Sequence, residues 1–78
     1  MYVPSHALKQ DFSDQIDTIK SLCASELKFA ELARDYDSLT GEIESLEAQE
    51  VPTTDQHMAE LKLRRVQMKD QIVSRLLR

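Results

Sequence analysis

The chain has 78 residues, with one Gly, two Pro, one Cys, 31% charged and 5% aromatic residues. That length carries at most one small domain with a marginal core, and so little Gly, Pro and aromatic content excludes a strand-and-turn architecture in favour of long helices. The formal net charge of −4 argues against nucleic acid as the main partner.

The first 24 residues carry the least pattern. Residues 1–12 read as a flexible N-terminus. Phe12, Ile16, Ile19 and Leu22 then follow helical spacing, so a short helix is expected over 13–22, capped by Ser5 or Ser13. A helix of this length is unstable alone in water and has to lie on the rest of the chain or on a partner.

A long acidic helix is expected over 26–49. Phe29, Leu32, Tyr36, Leu39, Ile43 and Leu46 alternate in steps of three and four, which places them along one seam. Ser25 has the chemistry of an N-cap, and Glu26 suits the positive end of the helix dipole. Gly41, the single glycine, sits inside this helix; it is either a neutral surface position or a notch that admits Leu63 or a second subunit.

The stretch EAQEVPTTDQH, residues 47–57, is the turn. Pro52 disfavours helix at Val51, and Thr53 or Thr54 can cap the next helix; Thr53 with Gln56 has capping-box spacing. The basic helix expected over 54–78 carries Met58, Leu61, Arg65, Met68, Ile72 and Arg75 at the same spacing, with Leu63, Val66, Val73, Leu76 and Leu77 widening the apolar face.

So short a turn makes the two helices neighbours, and their seams meet in antiparallel register. Leu46 faces Met58, Ile43 Leu61, Leu39 Arg65, Tyr36 Met68, Leu32 Ile72 and Phe29 Arg75. The same register sets Glu42 opposite Lys62 and Asp35 opposite Lys69. Charge is divided accordingly: eight acids stand against Lys28 and Arg34 in residues 25–53, whereas Asp55, Glu60 and Asp70 stand against six cations in residues 54–78. The fold class is therefore all-α: an antiparallel helical hairpin of two long helices with a short N-terminal helix, in one domain over 1–78 that can dimerise into a helix bundle.

The runs FSDQIDTIKSL, KFAELARDYDSLTGEIESLE and ELKLRRVQMKDQI together resemble the YdcH-like family of small bacterial proteins. Leu61-Lys62 and Met68-Lys69-Asp70-Gln71-Ile72 carry the likeness most strongly, over about residues 12–78. The chain departs from the family in reading Ser25-Glu26-Leu27 where Asn or Asp with Pro often precedes the long helix. The resemblance implies a helical hairpin from a bacterial cytosol and leaves the biochemical role open.

The residues point away from catalysis. There is no Gly-rich phosphate loop, no HExxH and no CxxC, so no catalytic residue, cofactor or metal is expected, and no small-molecule substrate. Cys23 has no internal partner and shares no ligand spacing with His6 and His57, which fits a packing residue in a reducing compartment. Apolar runs are far too short to span a bilayer, and no signal peptide opens the chain, so a cytoplasmic protein is expected. The spare face formed by Leu63, Val66, Val73 and Leu77 points to a non-enzymatic interaction module that forms a homodimer or binds another helical protein. The alternative is nucleic-acid binding through Lys62, Arg64, Lys69, Arg75 and Arg78, with no aromatic stacking residue to accompany them.

Overall fold

In the computed structural model, which describes residues 4, 6–48 and 54–77, the chain forms four α-helices: α1 (His6–Asp11), α2 (Ile16–Ser25), α3 (Leu27–Ala48) and α4 (Asp55–Leu76). A 3-10 turn, Ser13–Gln15, joins α1 to α2. No strand occurs among the described residues. Ser5, the side chain of His6, the Val51-Pro52 turn, Thr53 and Arg78 lie outside the described residues.

The two long helices form the hairpin because each carries an apolar row that water would otherwise face. Leu39, Ile43 and Leu61 are buried in one cluster, with Leu46, Met58 and Met68 packed against it. Toward the other end, Phe29, Tyr36 and Ile72 are buried in a second cluster that also takes in Leu32 and Met68. Glu26, just ahead of α3, pairs with Arg75 in the last turn of α4, so the helices are antiparallel. Burial of each large apolar side chain contributes about 1.5–3 kcal/mol before entropy is subtracted.

The boundaries are set by local chemistry. Thr54 caps α4, its Oγ1 accepting from the His57 N–H at 3.1 Å. Ser25 caps nothing in α3. It is the last residue of α2, and its hydroxyl donates to the Ser21 carbonyl at 3.0 Å. The break falls on Glu26, which is extended at φ −130°, ψ 113°. Its N–H still donates to the Leu22 carbonyl at 2.8 Å, while its own carbonyl accepts from Ala30 at 3.0 Å. A single residue thus ends one helix and starts the next, and α2 reaches Ser25 rather than stopping at 22.

The N-terminal segment differs most from expectation. Residues 6–11 are not a flexible lead but a helix that packs on α3, with Ala7, Leu8 and Phe12 buried. Leu8 is 0% exposed. Six residues cannot sustain a helix alone, so tertiary contacts hold α1 in shape. Its platform is a second row on α3, made of Ala30, Ala33, Asp37 and Thr40, in which small side chains allow the N-terminal helices to approach closely. Ile19 and Cys23 of α2 complete this core.

Gly41 lies on the exposed surface of α3, and a Cβ built there meets nothing within 4 Å. Leu63 does not pack into it, so within the chain it is a surface position and not a notch for that side chain. Gly41→Ala should therefore stabilise the protein by about 1 kcal/mol, since alanine restricts the unfolded chain and suits the helix interior. A urea titration of the two proteins measures the difference; an unchanged or lowered midpoint would contradict it.

Candidate functional site

Arg65 looks in the sequence like a flaw in the apolar seam. In the structure it is a junction. Its Nη2 donates to Asp11 Oδ2 at 2.7 Å, its Nε donates to Thr40 Oγ1 at 2.9 Å, and its guanidinium carbon stands 5.0 Å from the centre of the Tyr36 ring. The Tyr36 hydroxyl donates to the same Asp11 oxygen at 2.6 Å. One carboxylate from α1 thus gathers a cation from α4 and a phenol from α3, while Thr40 accepts from the guanidinium Nε–H.

Around this junction the N-terminal unit is fastened at both ends. Asp37 Oδ1 accepts from the Leu8 N–H at 3.1 Å, satisfying a first-turn amide of α1 that has no partner within the helix. Phe12 meets Tyr36 edge-on, with ring centroids 6.3 Å apart. Among the described residues no buried side-chain nitrogen or oxygen lacks a hydrogen-bond partner. Burial, then the hydrogen bond to Asp11, pushes the Tyr36 phenol well above its ordinary value. Cys23 is likewise pushed up, first by burial and then by the nearby Asp37 charge, so its thiol stays protonated and behaves as a packing residue.

The ion pairs differ from those the hairpin register suggests. Among the described residues neither Glu42 with Lys62 nor Asp35 with Lys69 forms one; Asp35 is 3.8 Å from Arg34 on its own helix instead. The cations that reach across are Arg65 and Arg75, and they bind Asp11 and Glu26, both outside α3. Seam arginines are held near the core and can meet only acids that approach over its edge. Outward lysines stay in water, where an ion pair contributes little.

Of the residues considered for nucleic acid, Arg75 is already paired with Glu26, Lys62 and Arg64 are exposed, and Lys69 is half-buried. With Arg65 and Arg75 engaged, the other described charges of α4 balance: Lys62, Arg64 and Lys69 stand against Asp55, Glu60 and Asp70. On the spare face Leu63 is 59% exposed, Val66 51% and Leu77 80%, whereas Val73 is half-buried against the core. Ala59, Leu63, Val66, Asp70, Val73 and Leu77 alternate in steps of four and three, so α4 carries an outer row beside its inner seam. Among the described residues no cluster of His, Cys, Asp and Glu could hold a metal ion, and no helix is long and apolar enough to cross a membrane.

Fold and site together define a helical hairpin with a docked N-terminal helical unit and an apolar row left open on its last helix. The family described as "Protein of unknown function (DUF465)" matches residues 29–76, which are the hairpin itself. The chain belongs to that family, which includes the YdcH-like small bacterial proteins. No curated protein and no solved structure matches it.

Proposed function

We propose that the protein is a non-enzymatic helical interaction module of the cytoplasm that pairs with a second copy of itself through the outer row of α4. The exposure of Leu63, Val66 and Leu77 along one face carries this reading. Three of the four large apolar side chains exposed among the described residues lie there, the fourth being Leu27. A domain this small buries little surface alone, and pairing is a common way to gain more. Near-balance of the remaining charges on α4 leaves no strong repulsion between two such helices, whereas the outward surface of α3 is dominated by acids.

Light scattering across a hundredfold concentration range tests the proposal. The wild-type chain should have the mass of a dimer, and Leu63→Glu with Val66→Glu should give a monomer of unchanged helicity, because both side chains already face solvent. A wild-type monomer at every concentration would refute self-pairing, and a double variant that remains dimeric would move the contact to another face.

A further inference from the structure

We infer that the two copies pair antiparallel along the outer row of α4, in an orientation set by Lys69 and Asp70. This rests on the self-pairing proposed above and adds its geometry. Ala59, Leu63, Val66, Asp70, Val73 and Leu77 map fully onto one another in a single antiparallel register, with Ala59 level with Leu77 of the second copy, Leu63 with Val73 and Val66 with Asp70. A two-fold axis then crosses α4 level with Met68, whose own side chain packs against the core. A symmetric contact of this kind has to be self-complementary. The row meets that condition.

The one charged member of the row decides the direction. Asp70 is exposed, Lys69 beside it is half-buried, and among the described residues neither forms an ion pair within the chain. Laid side by side in the same direction, two α4 helices would set Asp70 against Asp70 in the middle of an apolar row and Asp55 beside Glu60 of the second copy. Like charges brought together in a contact repel and select against that arrangement. Turned antiparallel, each Asp70 instead lies next to Lys69 of the second copy, so two symmetric ion pairs form about the axis and Glu60 lies level with the neutral Ser74. The two helix dipoles then run in opposite directions, which is also favourable. The seam that binds α3 lies on the other side of α4, so the acids of α3 stay away from the contact.

Disulfide trapping in a glutathione buffer, read on a non-reducing gel, tests this. Ala59→Cys and Leu77→Cys are made as separate full-length chains; both positions are exposed, and Cys23 is retained because it is buried. A mixture of the two should give a cross-linked heterodimer while neither cross-links alone, since the ends of the row stand about 27 Å apart along one helix. Self-cross-linking of either variant would mean a parallel pair and overturn the inference. Charge variants supply a second readout by light scattering. Asp70→Lys or Lys69→Glu leaves charges of one sign at the axis and should weaken pairing at least about tenfold, and the double variant should recover it. Single variants that pair as tightly as wild type overturn the inference as well. The two failures are distinct: a wild-type dimer whose variants lack the mixed cross-link overturns the orientation alone, whereas a monomer at every concentration removes the pairing and the orientation with it.

Discussion

Replacing Tyr36 with alanine is expected to remove a large share of the stability of this protein. The side chain is 0% exposed, stands at the meeting point of three helices, and is among the largest that are fully buried. Deleting a buried aromatic costs about 3–5 kcal/mol in lost transfer energy and residual cavity. A chain of this length has about 4–12 kcal/mol in total, so the variant should be largely unfolded or melt at a much lower urea concentration. The guanidinium of Arg65 would also lose the ring beneath it and Asp11 the phenol hydrogen bond. Tyr36→Phe separates the two contributions: it keeps the ring, leaves Asp11 with Arg65, and should cost about 1 kcal/mol. Urea titration followed by circular dichroism measures both. A Tyr36→Ala loss no larger than that of Tyr36→Phe would mean the ring is not packed as described.

Alkaline pH should weaken the fold through the same side chain. The Tyr36 phenol has an ordinary value of 10.0 and is held above it in the folded protein, first by burial and then by donating to Asp11. The unfolded chain therefore gives up this proton first. Linkage fixes the sign: where the unfolded state binds fewer protons, stability falls as pH rises. The contribution is fully present below about pH 10 and declines above it by about 1.4 kcal/mol per pH unit until the folded phenol also ionises. Lysines titrate in the same range, so the informative quantity is the difference from Tyr36→Phe, which should have a flatter profile above about pH 10. Parallel profiles for the two proteins would show that the phenol is not held neutral by the fold.

Much of the hairpin was legible because large apolar residues announce themselves by spacing. Ile43 and Leu61, paired by counting alone, are buried in the same cluster. The platform for α1 was not legible, since Ala30, Ala33, Asp37 and Thr40 keep the helical spacing but carry almost no hydrophobic signal. Nor was α1, because Ala7, Leu8 and Phe12 are too few to form a periodic run and six residues lie below the length at which helical tendency is informative. Arg65 and Arg75 show how polar residues in an apolar row mislead. Each looks like an imperfection until its acid is found, and those acids come from Asp11 and Glu26, which no rule for pairing α3 with α4 would supply. Ser25 was misplaced for a related reason: serine suits both the start and the end of a helix, and only the backbone of Glu26 decides which.

That one-residue joint leaves no slack between the second and third helices. Its amide closes the helix behind it and its carbonyl opens the helix ahead, with its side chain moored to Arg75. Adding or removing a single residue there would swing the earlier helix about 100° round its axis, carrying Ile19 and Cys23 out toward water. Chain length at this elbow is consequently as constrained as any buried side chain, although the elbow itself is partly open to solvent.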